Sequence, residues 1–300
     1  MSDSEPLVLE NGPLRFDAIA AGRGPLILLL HGFPDTLRTW RHQLPAFAAA
    51  GYRAVAVAMR GYSPESQPED GDYSADAIAG DAIGFVEQLG VSRCHLVGHD
   101  WGAAVAYTAA AAAPERFASL TTMAVPHAGR FLNEMIRHPK QLRLSWYMAF
   151  FQLRGIAERA VARDDGRLIR RLWRDWSPGW KPPEEVLRDV LDTLAAPGVT
   201  TAALAYYRAV LSLRSLAPSA RAENRFEVPV PTLALTGARD GCIDTDVFQK
   251  MMVPSDFPSG LQVEQIADAG HFPHQERPDA VNRLILDWIE RFERDARSTP

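Results

Sequence analysis

The stretch Gly98-His99-Asp100-Trp101-Gly102 decides how this chain is read. A short apolar run, Cys94-His95-Leu96-Val97, precedes it and reads as a strand. An alanine-rich run from Ala103 to Ala113 follows and reads as a helix. A strand, then Gly-x-nucleophile-x-Gly, then a helix is the layout of a nucleophile elbow, in which a sharp turn thrusts the central side chain out above a sheet. The central residue here is Asp100, where serine is commoner. A carboxylate attacking an ester carbonyl would give an anhydride, which is uphill. Attacking a saturated carbon that bears a leaving group, it gives an ordinary ester that water can cleave, so one hard step becomes two easier ones. The substrates this points to are epoxides or alkyl halides. The plainer reading of Asp100 is an N-cap for the following helix; the flanking glycines and the partners below weigh against it.

Outward from the elbow, strands and helices alternate. Leu26–Leu30 is a continuous apolar run of the kind buried on both faces of a sheet, and Ala54–Met59 and Leu120–Val125 are further strands. A helix is expected from about Asp35 to Ala50, with Pro45 reshaping it, and another over Ser74–Leu89, ending at Gly90. Arg15–Ala21 alternates as an outer strand would. This order implies a mostly parallel sheet with helices on both faces. From Gly129 to about Ala222 the pattern stops, giving way to helical stretches rich in Trp, Tyr, Phe, Leu and Arg and broken by Pro and Gly. Strands resume at Pro231–Thr236 and Leu261–Ile266, and a closing helix runs from Asp279 to Arg294. The expected organisation is an α/β core over 1–128, a helical cap over 129–222 and the rest of the core over 223–300.

In an open parallel sheet, chemistry collects beyond the carboxyl ends of the strands. Phe33, Asp100, Asp240 and His271 all sit at such ends, and the chain order of the last three is nucleophile, acid, base. His271 is the candidate base, since an imidazole with an unperturbed pKa of about 6.5 can take and return a proton near neutrality. Asp240 would fix its tautomer; Asp244 and Asp246 are rivals placed farther from the strand end. Water attacking an ester of Asp100 builds negative charge on a carbonyl oxygen. The Trp101 amide and the tight turn at Phe33 are the expected donors to it, and their rings would line a dry pocket. His31 and His99 read as loop-orienting, His127 and His274 as ordinary polar residues.

The bulk numbers fit this picture and exclude others. Hydrophobic residues make up 47% of the chain and charged ones 23%, values typical of a globular protein. The net charge of −5 offers no basic surplus for nucleic acid. The arginine-dense segment Arg159–Arg174 is interspersed with acids and reads as a solvated helix face. Two cysteines, Cys94 and Cys242, make no disulfide framework and read as small buried hydrophobes. With no signal-peptide pattern at the N-terminus and no apolar run of membrane-spanning length, a cytoplasmic location is the default expectation. No metal-ligand spacing is present and no cofactor is expected.

Taken together, HGFP at 31–34, RGYSP at 60–64, GHDWG at 98–102, GARD ending at Asp240 and DAGH ending at His271 resemble the α/β-hydrolase-fold epoxide hydrolases over nearly the whole chain, helical cap included. The resemblance implies an α/β-hydrolase fold, with Asp100 as alkylated nucleophile, His271 as base, Asp240 as its partner, and Phe33 and Trp101 as oxyanion amides. It further implies two cap tyrosines that protonate the epoxide oxygen. Ser145-Trp146-Tyr147 resembles the segment bearing the first, and Ala205-Tyr206-Tyr207-Arg208 the segment bearing the second. Tyr147 and Tyr207 are assigned, with Tyr206 as the fallback. Trp146, Phe150 and Phe151, with Phe33 and Trp101, are the candidate substrate-binding aromatics. The partners are then a small apolar or aromatic epoxide and water, with a homodimer also allowed for. Two alternatives stay open: a dehalogenase using the same Asp nucleophile, and a catalytically silent protein that binds an apolar ligand. Haloalkane dehalogenases typically carry Asn where Phe33 stands, and fluoroacetate-type enzymes carry Arg where Trp101 stands.

Overall fold

A computed structural model describes residues 4–211 and 227–298. Eight strands form a single sheet in the order β1-β2-β4-β3-β5-β6-β7-β8. They are β1 (Glu5–Asn11), β2 (Leu14–Ala21), β3 (Leu26–Leu30), β4 (Arg53–Val57), β5 (Cys94–His99), β6 (Phe117–Met123), β7 (Thr232–Gly237) and β8 (Leu261–Ile266). β1, β2 and β4 pair antiparallel, and every other neighbouring pair is parallel. The continuous apolar run of β3 sits at the centre, where each residue from Leu26 to Leu30 is buried because helices cover both faces.

On one face lie α1 (Gln43–Ala49) and the long closing helix, which bury Phe47, Val281, Ile285 and Ile289 against Leu29 and Val97. On the other lie α2 (Ala75–Gln88) and α3 (Trp101–Ala112), which bury Ile78, Phe85, Val105 and Ala109 against Leu28 and Leu96. Among the described residues seven α-helices lie between β6 and β7: α4 (Ala128–Met135), α5 (Pro139–Leu144), α6 (Trp146–Phe150), α7 (Ile156–Ala162), α8 (Arg167–Trp176), α9 (Glu184–Ala195) and α10 (Val199–Val210). Among the described residues this insertion holds no strand, and it shares one apolar cluster with the α2/α3 face of the core. The expected boundary at 222/223 lies outside the described residues. α11 (Thr245–Met251), α12 (Pro273–Glu276) and α13 (Pro278–Ser298) complete the chain.

Three local readings change. Strand β1 carries no sequence signal because it is a half-exposed edge in which only Leu9 is buried. The helix expected from Asp35 is two pieces. A 3-10 turn at Leu37–Arg41 is capped by the Thr36 hydroxyl, which accepts from the Arg38 amide, and α1 begins only at Gln43. Pro45 then falls in the first turn of α1, where a missing N–H costs no intrahelical bond. The arginines of the dense segment lie on a solvated face as read, with Ile169, Leu172 and Trp173 buried between them: Arg170 pairs with Asp165 and Glu184, and Arg188 with Asp165. Cys94 and Cys242 are free and buried. No described helix is long and apolar enough to cross a membrane.

Candidate active site

Asp100 stands between β5 and α3 with φ 51° and ψ −117°, a backbone state that ordinary side chains avoid. The surrounding structure imposes it. The Asp100 amide donates to the Met123 carbonyl at 3.1 Å, and the Asp100 carbonyl accepts from Ala103 and Ala104 at 2.9 and 3.1 Å. A side chain at Gly102 would place its Cβ 2.1 Å from the Leu30 carbonyl oxygen, so α3 can approach β3 this closely only with glycine there. The Asp100 carboxylate makes no capping bond to α3, which removes the N-cap reading.

The carboxylate instead faces two groups from distant parts of the chain. Asp100 Oδ1 accepts from the Phe33 amide at 2.7 Å, and Oδ2 lies 3.4 Å from His271 Nε2. Trp101 opens α3, where an N–H has no intrahelical acceptor. On its far side His271 donates from Nδ1 to Asp240 Oδ2 at 3.0 Å. Asp240 Oδ1 is itself pinned by the Cys242 and Ile243 amides at 2.7 and 3.0 Å. Of the rival carboxylates, Asp244 caps α11 and pairs with Lys140, and Asp246 is exposed in its first turn. Burial opposes a charge on His271 but is outweighed by Cys242, Asp240 and Asp100, so its pKa is held well above the usual 6.5.

The other histidines hold loops. Burial lowers His31 to about 4, and its neutral ring accepts from the Met59 amide at 3.0 Å through Nε2 and donates to the Gly32 carbonyl through Nδ1. His99, lowered to about 3 by burial and by the neighbouring His271, donates from Nε2 to the His271 carbonyl at 2.8 Å. His274 and His127 are not ordinary polar residues. His274 is fully buried, 2.5 Å from the Thr39 hydroxyl and packed on Trp40; His127 is buried and stacked on Tyr107. Asp35, His99 and His274 are the grouping of metal-ligand type among the described residues, and none of the three lines the cavity described next. The Asp35 oxygens accept from Thr36 and Gln275, and the two Nε2 atoms meet the His271 carbonyl and the Thr39 hydroxyl, while Nδ1 of His99 and of His274 closes no hydrogen bond among the described residues.

A cavity of about 260 Å³ opens over Asp100, lined by Trp101, Tyr147, Met148, Tyr207, Phe131 and Ile243 among others. Tyr147 comes from α6 and Tyr207 from α10, their rings 5.7 Å apart. Burial raises both phenols well above 10; the next cause is Asp100 for Tyr207 and Cys242 for Tyr147. Tyr147 Oη lies 3.2 Å from Cys242 Sγ, while Tyr207 Oη, beside the Trp101 ring, closes no hydrogen bond among the described residues. Tyr206 turns the other way and donates to the Arg60 carbonyl at 2.7 Å. Phe151 is buried behind the cavity, its ring 5.4 Å from Phe33 and 5.0 Å from Tyr207. Of the five candidate substrate-binding aromatics only Trp101 lines this cavity; Phe33, Trp146, Phe150 and Phe151 are not among its lining residues. Trp146 is 38% exposed under the Arg171 guanidinium, and Phe150 packs on it, because α6 is only five residues long and turns one face outward. Met148, Phe131 and Ile243 were not foreseen, since the phase of so short a helix and the path of a loop leave no periodic signal.

Residues 25–278 match the family model described as alpha/beta hydrolase fold. Over 292 residues the chain is 32% identical to human epoxide hydrolase 4, covering 94% of this chain and 77% of that one. Epoxide hydrolase 3 of Xenopus tropicalis is 32% identical over 290 residues, with 94% and 76% covered. Among solved structures, the Bacillus megaterium epoxide hydrolase in complex with an inhibitor superposes with a TM-score of 0.82 at 26% identity, covering 95% of this chain and 100% of that one. A mutant of an epoxide hydrolase from Bacillus megaterium, complexed with its naphthyloxy-propanediol product, gives a TM-score of 0.81 at 26% identity and the same coverage.

Proposed function

Because this chain belongs to the α/β-hydrolase-fold family and, within it, to the epoxide hydrolases, we propose that it adds water to an apolar or aromatic epoxide and releases a vicinal diol by way of an ester on Asp100. The observation that carries the reading is one carboxylate held in three directions. Oδ1 rests on the Phe33 amide, Oδ2 faces His271, and the cavity above it is closed by Tyr147 and Tyr207. The apolar lining, with Met148, Phe131 and Ile243, favours an apolar substrate. The aryl diol bound by the Bacillus megaterium relative supports an aromatic one.

In the first half-reaction Asp100 Oδ2 attacks a ring carbon, the carbon–oxygen bond of the ring breaks, and the oxygen takes a proton from the tyrosine pair. The phenols suit this role: raised well above 10, they stay protonated through the neutral range and can stabilise the developing alkoxide. In the second, His271 Nε2 takes a proton from water, and the hydroxide adds to the ester carbonyl of Asp100. The charge that builds on Oδ1 is met by the Phe33 and Trp101 amides. Collapse returns the proton taken from water to the departing diol, and the Asp100 carboxyl, which keeps the oxygen from water, gives its own proton to His271, so that the resting carboxylate and imidazolium are restored.

Ester formation also prepares the base. At rest His271 lies between two carboxylates that help to hold its proton. Alkylation turns Asp100 into a neutral ester, one of those holds disappears, and the imidazolium passes its proton to the phenolate left by ring opening, which frees the imidazole to act on water. A halide substrate would need a second side-chain donor beside Trp101. The Phe33 ring, packed on Phe151 and Tyr207, offers none.

The test is a single turnover of styrene oxide in 18O-water. The first diol should carry an unlabelled, enzyme-derived oxygen, and the label should appear in the peptide holding Asp100. Diol labelled from solvent on that turnover would rule out the covalent route.

A further inference from the structure

The end of cap helix α8 is built into the loops that carry the acid and the base. Its last carbonyl, that of Trp176, accepts from the Gly241 amide at 2.9 Å and from the His271 amide at 3.1 Å. Gly241 follows Asp240 directly, so one cap oxygen ties both members of the Asp240–His271 pair. A Cβ at Gly241 would lie 2.0 Å from the Asp175 carbonyl oxygen, and one at Gly270 2.5 Å from Ser177 Cα. Both loops therefore carry glycine where the helix end presses on them.

Ser177, the next residue, is fully buried and occupies the centre of this contact. Its Oγ accepts from the His271 amide at 3.0 Å and donates to Glu276 Oε1 at 2.7 Å. Glu276, also buried, accepts from the Phe272 amide at 3.1 Å through Oε1 and from the Gly270 amide at 2.9 Å through Oε2. Three consecutive amides, at 270, 271 and 272, are thus fixed by one cap hydroxyl, one cap carbonyl and one carboxylate. One turn back along α8, the Trp173 indole donates to the Pro34 carbonyl at 2.9 Å, next to the amide that holds Asp100.

We infer that Ser177 is a positioning residue for His271, and that α8 belongs to the catalytic frame rather than to a lid that parts from it. A base must be held within a fraction of an ångström to work on a water beside the ester. The hydroxyl sets the height of the His271 backbone over Asp100, and Glu276 orients the hydroxyl. This rests on the covalent route proposed above, and that route makes the role separable. Attack by Asp100 does not need His271 as base, whereas hydrolysis of the ester does. Loss of a positioning contact should slow the second half-reaction alone.

The experiment compares wild type with Ser177→Ala on styrene oxide, following the alkylated enzyme by intact mass after rapid quench and the diol by chromatography. Ser177→Ala leaves the Trp176 carbonyl on the His271 amide and the Phe272 amide on Glu276, so the loop keeps its other ties. The expected result is ester formation at the wild-type rate, ester hydrolysis slowed about tenfold and a mass corresponding to ester that builds up before diol appears. The acid limb of the hydrolysis step should also move, since the distances from the imidazole to both carboxylates change. Hydrolysis at the wild-type rate would overturn the inference while leaving the epoxide reading intact. An equal loss in both half-reactions, together with a lowered Tm, would make Ser177 a structural residue only and overturn it as well. Failure of the wild type to consume any epoxide would bring down the parent reading instead, and this inference with it.

Discussion

Phe33 and Asp100, 67 residues apart in the chain, are joined by a 2.7 Å hydrogen bond from the Phe33 amide to Asp100 Oδ1. This donor is in place before any charge develops. It holds one carboxylate oxygen back and leaves Oδ2 as the oxygen toward His271. A preformed donor at the site where charge builds costs no reorganisation during reaction.

Removing the carboxylate should therefore remove the chemistry and keep the fold. Asp100→Ala is expected to lower diol formation by about 10⁴-fold or more, the scale of losing a covalent nucleophile. Asp100 makes no capping bond to α3, so the helix keeps its start, and the loss of the acceptor for the buried Phe33 amide should lower the melting temperature by only a few degrees. Diol assay and thermal unfolding by circular dichroism check both halves.

The two neighbouring tyrosines of α10 should separate cleanly. Tyr207 lines the cavity over Asp100, and Tyr207→Phe is expected to lower kcat/KM by about 10²-fold, the contribution of a positioned proton donor. Tyr206 Oη is committed to the Arg60 carbonyl. Tyr206→Phe should cost about 1 kcal/mol of stability and leave kcat nearly unchanged. Equal loss of activity in the two variants would remove the distinction. Tyr147→Phe should resemble Tyr207→Phe, with the further loss of its contact to Cys242 Sγ.

The half-reactions should also differ in pH dependence. Hydrolysis needs neutral His271, so its rate should fall on the acid side, below the pKa that the imidazole takes once Asp100 is an ester. Alkylation needs protonated phenols, which burial keeps protonated past the usual value of about 10, so its alkaline limb should be displaced upward. His271→Gln should let the ester accumulate. Pre-steady-state ester formation and decay, measured from pH 5 to 10, would show whether the limbs belong to separate steps.

The sequence was informative where local chemistry is distinctive. The elbow at Asp100, the glycines around it, the apolar run of β3 and the strand-end positions of Asp240 and His271 are all readable, because each depends on nearby residues or on a simple period. Positions set by packing between distant segments are not. Trp146 and Phe151 look equivalent in the chain, yet Trp146 opens α6 facing solvent and Phe151, just past its end, lies in the core. Ser177 and Glu276 look like an ordinary loop serine and a surface acid. Their role exists only because the end of α8 meets the loop at His271. His274 reads as a polar loop residue and is buried only because the turn at Thr39 closes over it.

Those buried histidines give a stability prediction whose sign can be worked out. His31 is lowered to about 4, His99 to about 3, and His274 well below 6.5, all chiefly by burial. Between about pH 6.5 and 4 the unfolded chain protonates all three while the folded chain does not, so their contribution is present above 6.5 and is lost as the pH falls. Asp35 runs the other way. Burial raises it to about 7, so the folded protein holds its proton in this window and the unfolded chain, near its ordinary 3.8, releases it as the pH rises. His271, raised above 6.5, is protonated in both states below that value and adds nothing there. The protons of His31, His99 and His274 favour unfolding and that of Asp35 opposes, a net uptake of about two, to which His95 and His42, also lowered chiefly by burial, add in the same direction. Stability should then fall by roughly 1–3 kcal/mol for each pH unit below 6.5. Replacing Asp35 with Asn removes the opposing proton and should steepen that fall. Urea midpoints at pH 7, 6, 5 and 4 for wild type and Asp35→Asn would check it, and a flat profile would mean that these histidines titrate normally in the folded protein.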